Sequence, residues 1–357
     1  MSPESQNAPR IPPGQCANPT RYPNIIRIMA VKFDLGQSSD GNISQMAFQL
    51  PALSSPKFLY RLLKGLRLAK SCDAIFISNP RKEELLLLYM AKFLYGRRLR
   101  TIVFDLIMRA PLRISDRLTL PLKRRLLSAI DAFIFIHKDT AGYEKYYGIL
   151  RSRCIYVPFK ANNFDLLGKI RGLDGDYIVS LGASQRDYKL LIDAVRSLDI
   201  PLKIILPMAS ITAHNADIGY DTLPPNVTHV RDPVDRTGWS RYIAESRFVV
   251  IPILESTIQP AGISVYLEAM ALGKPVIITR GASTNGILDD QLAVTVPPAD
   301  VDALRSAIVD LWSDGAKRAD LSMKACAYAT SLGDHARLQS DLRNLVVAEC
   351  LGQPLTR

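Results

Sequence analysis

The chain has 357 residues, of which 48% are hydrophobic and 22% charged, and its formal net charge is +11. This length suggests two domains with separate cores, and the composition excludes a fibrous or wholly disordered protein. The 5 cysteines and 4 histidines are scattered, without a CxxC pair. This scatter excludes a disulfide framework and a zinc cluster, and it indicates a reducing compartment.

Residues 1–24 are rich in Pro, Ser and Asn and contain no apolar run, so we expect a disordered leader there and not a signal peptide. The most apolar helical stretch, residues 85–95, contains a lysine and has about half the length of a membrane span. We therefore expect a cytoplasmic protein that is at most peripheral at the inner face of the membrane.

Basic residues are concentrated in the first half. Residues 1–164 contain 26 Lys and Arg against 11 Asp and Glu, whereas the remainder contains 19 against 23. The excess predicts an anionic partner, either membrane headgroups, a phosphorylated substrate or nucleic acid. Nucleic acid is disfavoured, because no aromatic residues are interleaved with the basic runs and no nucleic-acid-binding signature is present.

Short apolar strands alternate with helices along the first half. The predicted strands are residues 25–33, 73–78, 101–104 and 132–136, and the predicted helices are residues 57–70, 83–95 and 113–130. We interpret residues 34–44 as a loop. This alternation is typical of a parallel sheet that is covered on both faces.

The same pattern restarts in the second half. The predicted strands are residues 177–181, 202–206, 227–230, 248–253, 276–279 and 292–296, and the predicted helices are residues 188–198, 240–245, 265–271 and 300–312. The fold class is therefore α/β, with two Rossmann-like doubly wound domains facing a cleft, at residues 25–164 and 165–335.

Residues 248–298 have the pattern of an anion site. A buried strand ends near Pro252, a loop with Gly262 follows, and a short helix begins near Ser264. Free backbone N–H groups at such a helix start form an anion cradle that the helix dipole supports. Glu268 lies one turn further, where its carboxylate can face the same cleft and accept hydrogen bonds from ligand hydroxyls.

The run LEAMALGKPVIITRG and the segment LAVTVPPADVDALRSAIVDL resemble GT-B glycosyltransferases of the family-4 type, the glycosyl transferases group 1. The resemblance covers residues 177–329. It implies that Glu268 is the second Glu of an E-x7-E motif and binds the ribose hydroxyls of a nucleotide sugar. It further implies that the amides of Gly262, Ile263 and Ser264 bind the diphosphate, that no metal or other cofactor is needed, and that a C-terminal helix within residues 336–357 crosses back onto the first domain.

The chain departs from the motif at its first Glu, where it has Pro260. The family uses that Glu on the sugar hydroxyls. Four alternatives follow: Gln259 replaces it, Glu255 replaces it, the sugar is recognised differently, or transferase activity is lost.

A second cluster follows the strand at residues 177–181. In the family, an Arg and a Lys placed after this strand neutralise the diphosphate leaving group. By resemblance, Arg186 and Lys189 take these roles beside Gly182, although the Arg that often follows this Gly is Ala183 here. Base recognition is expected around Val230 and Arg231.

In the first half, Asp105 stands where the family often has a His-Asp pair. An inverting transferase needs a general base near the acceptor hydroxyl, and Asp105 is our candidate, the alternative being a helix N-cap. His137 follows the next strand. Its position fits a role in the site, and it fits a loop or helix-capping role equally well. The DxD-like sequence at Asp174 and Asp176 precedes a strand, so we do not interpret it as a metal site.

The helix at residues 57–70 has a basic face opposite a leucine stripe, which fits either an anionic membrane surface or ordinary packing on a core. The sequence thus predicts a glycosyltransferase that moves a sugar from a nucleotide-diphosphate sugar to a hydroxyl of a glycan or lipid-linked acceptor, in exopolysaccharide or envelope glycan synthesis. The alternatives are a catalytically silent binder of sugar nucleotides or glycans, and a GT-B epimerase or phosphorylase.

Overall fold

A computed structural model describes residues 25–36, 43–162, 174–209, 211, 218–219 and 222–353. The predicted leader at residues 1–24 and the predicted domain boundary between residues 164 and 165 lie outside these residues. Both predictions therefore stay predictions.

The first domain contains a six-stranded parallel sheet in the order β2-β1-β3-β4-β5-β6. Its strands are β1 (Ile26–Val31), β2 (Ile43–Ala47), β3 (Ala74–Ser78), β4 (Arg100–Phe104), β5 (Ala132–Phe135) and β6 (Cys154–Tyr156). Its helices are α1 (Phe58–Ala69), α2 (Lys82–Tyr95), α3 (Ile114–Ser128) and α4 (Ala141–Tyr147). The central strands are buried along nearly their whole length, because helices cover both faces of the sheet.

The second domain contains a parallel sheet in the order β12-β11-β10-β7-β8-β9. Its strands are β7 (Ile178–Leu181), β8 (Leu202–Ile205), β9 (Val227–Val230), β10 (Val249–Ile251), β11 (Val276–Thr279) and β12 (Val294–Val296). Its helices are α5 (Tyr188–Val195), α6 (Arg236–Ala244), α7 (Ile263–Ala271), α8 (Val301–Ser313) and α9 (Gly315–Ser331). The predicted fold class, two Rossmann-like parallel-sheet domains, is confirmed.

The sequence reading missed two edge strands and two helices. Strand β2 lies in the segment interpreted as a loop, because its sequence ISQMA is only partly buried and lacks an apolar run. Strand β6 has three residues, too few for a periodicity. Helices α4 and α9 carry polar residues throughout, which weakens the pattern that predicts them.

The last helix, α10 (His335–Leu351), packs against the first sheet. Gln339 Nε2 donates a hydrogen bond to the carbonyl of Asp34 at 2.8 Å, and Arg343 Nη1 donates to the carbonyl of Leu35 at 3.1 Å. Its buried residues Leu338 and Leu342 belong to one hydrophobic cluster that includes strand residues of both sheets. Helix α10 therefore ties the two domains together.

The carboxyl ends of both sheets face each other, and the domains touch across the cleft. Asn285 Nδ2 donates a hydrogen bond to Asp139 Oδ2 at 2.7 Å. Three residues further along, a Cβ added at Gly142 of α4 would lie 2.6 Å from Cβ and Cγ2 of Ile258. The absence of a side chain at Gly142 thus permits this close contact between the two domains.

We predict that Gly142→Ala destabilises the protein by about 1–3 kcal/mol, because the new methyl group overlaps Ile258. Helix propensity alone would favour alanine by about 1 kcal/mol, so the sign of the effect reports the steric contact. Urea unfolding of both single variants and of Gly142→Ala/Ile258→Ala measures it. The double variant should be more stable than the sum of the singles implies, and strict additivity would contradict the contact.

Candidate active site in the interdomain cleft

A cavity of about 570 Å³ opens between the carboxyl ends of the two sheets. Residues from both domains and from the connection between them line it, among them Asp105, Phe159, Asn162, Arg186, Gln259 and Ser264. Open α/β sheets bind ligands at this edge. Several predicted site residues therefore meet here, although they are far apart in the sequence.

Helix α7 presents its N-terminus to this cavity. Gly262 caps the helix with φ 92°, and a Cβ there would lie 3.0 Å from Cγ2 of Ile251, so a side chain would suffer both strain and crowding. Val265 has the first backbone N–H of this helical turn that donates a hydrogen bond, and its acceptor is the carbonyl of Gly262. The N–H groups of residues 262, 263 and 264 have no acceptor among the residues that the structure describes. Unpaired N–H groups at a helix start are what the predicted anion cradle requires.

Arg186 is buried, with 8% of its surface exposed. Its Nε donates to the carbonyl of Leu181 at 3.1 Å and its Nη1 to the carbonyl of Ser184 at 2.9 Å. Within the described part of the chain it forms no ion pair with a carboxylate, and burial lowers its pKa. A buried guanidinium that lines a cavity without a counter-ion is suited to bind an anionic ligand.

A second cavity, of about 490 Å³, continues from the first past Trp239 and Ser264. Glu268 lines it, 3% exposed, and its Oε1 accepts a hydrogen bond from Ser240 Oγ at 2.5 Å. Lys160 lines the same cavity, where burial lowers its pKa and the carboxylates of Asp334 and Glu268 act against that shift. A carboxylate and an ammonium group therefore border one space that also includes Ser264 at the start of α7.

Asp105 lies at the end of β4 with φ 51°. Its Oδ1 is fully buried without a hydrogen-bond partner, and burial raises its pKa to about 6. It caps no helix, since α3 begins at Ile114. A carboxyl group whose pKa lies near neutrality has the property that a general base needs.

Gln259 lies in the cleft next to Pro260, the residue at the position of the family's first Glu. It is 5% exposed, its Nε2 donates to Ser184 Oγ at 3.3 Å, and its Oε1 is buried without a partner. Pro260 also lines the cavity. Glu255 lies in an exposed turn and does not line these cavities. Of the two replacements considered, the structure brings only Gln259 to the site.

Two further predicted donor residues point elsewhere. Lys189 forms an ion pair with Asp193 of its own helix at 2.8 Å. Arg231 is exposed, and its Nε donates to His229 Nδ1 at 3.1 Å. Neither side chain lines the two cavities, so their predicted contacts with a donor stay predictions.

His137 is buried, with both ring nitrogens unpartnered, and its pKa is lowered to about 4 by burial. Its ring packs against Phe135 and Tyr143, and it borders a different cavity from Asp105. The ring is therefore neutral near pH 7 and packs in place of an apolar side chain.

Sequence reasoning missed Lys160, Asn162 and Trp239. The first two lie in the connection that leaves β6, and Trp239 lies in α6. None belongs to a recognisable motif. The sequence offered one signal for them: Lys160 is basic and Trp239 is aromatic, and both lie in segments that enter the cleft.

Residues 183–314 match the family model of glycosyl transferases group 1. A search of curated proteins gave no significant match. Among solved structures, a glycosyltransferase from Rickettsia africae superposes with a TM-score of 0.61 at 11% identity, covering 93% of this chain and 100% of that one.

HepE from Anabaena, in complex with UDP and glucose, superposes with a TM-score of 0.61 at 13% identity, covering 91% of this chain and 100% of its own. Sucrose-phosphate synthase from Thermosynechococcus elongatus gives 0.60 at 15% identity, with coverages of 91% and 100%. The chain therefore has the two-domain fold of these solved structures, and residues 183–314 carry the similarity to the glycosyl transferases group 1 that the sequence predicted.

No helix in the described ranges is long and apolar enough to cross a lipid bilayer. Likewise, the described residues contain no group of three or more His, Cys, Asp or Glu side chains that could hold a metal ion.

We predict that Asp105→Asn stabilises the protein by about 1–2 kcal/mol near pH 7 while it lowers activity. The pKa of Asp105 rises from 3.8 in the unfolded chain to about 6 in the folded one, so the wild type loses stability as the pH rises through this window. The advantage of the variant should be complete above about pH 6 and vanish towards pH 4. Urea unfolding of the wild type and of Asp105→Asn, from about pH 4 to about pH 7, measures this difference in stability. The titration of His137 contributes equally to the stability of both proteins. An advantage that does not depend on pH would contradict the assignment.

Proposed function

We propose that the protein transfers a sugar from a nucleoside-diphosphate sugar to a hydroxyl of a glycan or lipid-linked acceptor, in exopolysaccharide or envelope glycan synthesis. The observation that carries this proposal is that the buried Arg186, which has no carboxylate partner among the described residues, lines the same cavity as the N–H groups that begin α7. The complex of HepE with UDP and glucose favours uracil as the base.

The diphosphate would lie between Arg186 and the N-terminus of α7. Departure of the nucleoside diphosphate places negative charge on its terminal phosphate, and the guanidinium and helix dipole stabilise this charge without reorganisation. Lys160 adds a third positive group from the neighbouring cavity, and Glu268 accepts hydrogen bonds from the ribose hydroxyls. In this proposal the protein's own cationic groups neutralise the charge, with no metal or other cofactor.

The sugar would occupy the central cavity. Its hydroxyls can donate hydrogen bonds to the unpartnered oxygens of Gln259 and Asp105, which compensates the cost of burying them. In an inverting reaction Asp105 also takes the proton of the acceptor hydroxyl, for which a pKa of about 6 is suitable. A retaining reaction would use Asp105 for binding alone.

The second candidate is a silent binding protein, and Pro260 in place of the family's Glu favours it. Gln259 weakens that argument, because its amide oxygen lies in the same cavity. The two are separated by incubating the protein with UDP-sugars and acceptor glycans and measuring UDP release. Donor binding with no release in any combination would favour the silent protein.

We predict that Arg186→Gln weakens UDP binding about 10- to 100-fold, as expected for the loss of charge-assisted hydrogen bonds. Titration calorimetry measures the affinity. Arg305→Gln is the matched control, since Arg305 lies on α8 and bonds to Asp302 and to carbonyls of α5; it should bind UDP like the wild type. Equal loss in both variants would show a general charge effect and contradict the assigned role.

We predict that Gln259→Leu weakens binding of the UDP-sugar about 5- to 30-fold and leaves UDP binding unchanged, because Gln259 contacts only the sugar. Comparing the two ligands on one variant controls for folding. A parallel loss of both affinities would place Gln259 at the nucleotide and refute its role as the replacement for the missing Glu.

A further inference from the structure

The cleft continues from the central cavity towards α3. A further cavity, of about 640 Å³, lies between the loop that connects β4 to α3, α3 itself, the end of α4 and two loops of the second domain. We call it the α3 cavity. It shares Ile107, Ser184 and Gln259 with the central cavity, which Asp105 also lines. A ligand in the α3 cavity therefore lies next to the space in which the sugar is proposed to bind, and the volume is in the range of small-molecule sites.

Three cationic side chains and one carboxylate line the α3 cavity. Arg109 and Arg113 precede α3, whereas Asp116 and Lys123 lie on it, two turns apart and hence on one face. The three cations form no ion pair and donate no side-chain hydrogen bond within the described part of the chain. Positive charge is therefore in excess on this wall of the cavity.

The loop that carries Arg109 and Arg113 is held in place by α4. The hydroxyl of Tyr143 donates a hydrogen bond to the carbonyl of Leu106 at 2.7 Å, and the hydroxyl of Tyr147 donates to the carbonyl of Arg109. Both tyrosines are buried. The backbone from which the cations project is thus fixed before a ligand arrives, which lowers the entropic cost of binding.

Lys123 is half-buried, and other lysines that the fold partly buries have partners. Lys92 forms an ion pair with Asp131 at 2.6 Å, and Lys160 donates a hydrogen bond to Asn162 Oδ1 at 3.0 Å. Partial burial removes water from an ammonium group, and an anion compensates for that loss. Lys123 has no such partner among the described residues, so we expect a ligand to supply the anion.

The second domain supplies neutral hydrogen-bonding groups to the α3 cavity. Its four lining residues are all serine or glutamine: Ser184, Gln185, Ser256 and Gln259. The carboxylate of Asp116 accepts hydrogen bonds from hydroxyls and repels a bare anion. Cations on one wall, with hydroxyl, amide and carboxylate groups around them, suit a ligand that carries both a negative charge and several hydroxyls. An acidic sugar combines these two features.

We propose that the α3 cavity binds an anionic saccharide, whose phosphate or carboxylate lies against Arg113 and Lys123 and whose hydroxyls face the second domain. This saccharide is the acceptor, and one of its hydroxyls reaches the central cavity near Asp105. The acceptor class is therefore a glycan that carries negative charge close to the reacting hydroxyl. The role as acceptor rests on the proposed transferase function, whereas the anion site does not.

Titration calorimetry in saturating UDP tests the anion site, because UDP then occupies the proposed site at Arg186. The ligands are glucose, glucose 6-phosphate, glucose 1-phosphate and glucuronic acid. At least one acidic sugar should bind at least about tenfold more tightly than glucose, as expected for charge-assisted hydrogen bonds, and added salt should weaken this preference. The tightest ligand identifies the source of the charge: glucose 6-phosphate indicates a phosphosugar, glucose 1-phosphate a sugar attached through phosphate to a carrier, and glucuronic acid a uronic acid.

The variant Arg113→Gln/Lys123→Gln should lose about tenfold or more of the affinity for that acidic sugar and keep its affinity for UDP. Arg124→Gln/Arg125→Gln is the matched control, because it removes the same charge from the same helix. Arg124 and Arg125 bond to a backbone carbonyl of α4 and to a tyrosine hydroxyl of α2, and they do not line the α3 cavity. The control should bind the acidic sugar within about twofold of the wild type.

Equal affinity for glucose and all three acidic sugars, or an equal loss in the two double variants, would overturn the proposal. So would a preference for acidic sugars that Arg186→Gln abolishes and Arg113→Gln/Lys123→Gln retains, because the anion would then bind at the donor site. Failure of the proposed function is distinguishable. Binding through Arg113 and Lys123 without UDP release from any UDP-sugar and acceptor would leave the anion site intact and refute the transferase. Equally fast UDP release with neutral and acidic acceptors would refute only the anionic acceptor.

Discussion

The buried positive charge of Arg186 constrains the whole cleft. Removing a guanidinium from water costs several kcal/mol unless an anion or good hydrogen bonds replace the water. The protein supplies the carbonyls of Leu181 and Ser184 but no carboxylate in the residues described. The carbonyls fix the direction of the guanidinium, and Arg186 lines the central cavity. In the proposed binding mode an anionic ligand completes the site, and the N–H groups at the start of α7 donate to the same ligand.

Other groups of the cleft are also held in costly arrangements. Asp105 Oδ1 and Gln259 Oε1 are buried without partners, and Asp105 adopts a left-handed backbone conformation. Such costs are typical of functional sites, where a ligand repays them and the surrounding fold maintains them. Here the surrounding fold includes α10, which belongs to the end of the chain and packs against the first sheet, so that one hydrophobic cluster runs through both domains. The packing of α10 therefore helps to fix the two domains, and with them the site in the cleft.

The sequence predicted the parts of the molecule that depend on local pattern. The central strands are continuous apolar runs, and the Gly262 turn with Glu268 on the following helix is a compact motif, so both were recognisable. The edge strand β2 was not, because half-buried residues show no apolar run. Lys160 and Trp239 were missed because only the packing of two domains brings them to the cleft. The sequence also carried no signal for the ion pair between Lys189 and Asp193, one turn along the same helix; the predicted contact of Lys189 with a donor stays a prediction.

The central claim is that Arg186 and the start of α7 form a site for a diphosphate. Titration calorimetry of the wild type with UMP and with UDP tests it most directly, because the two ligands differ only in the terminal phosphate. The account predicts that UDP binds at least about tenfold more tightly than UMP, since that phosphate carries the charge-assisted hydrogen bonds. Equal affinity for the two nucleotides would contradict it.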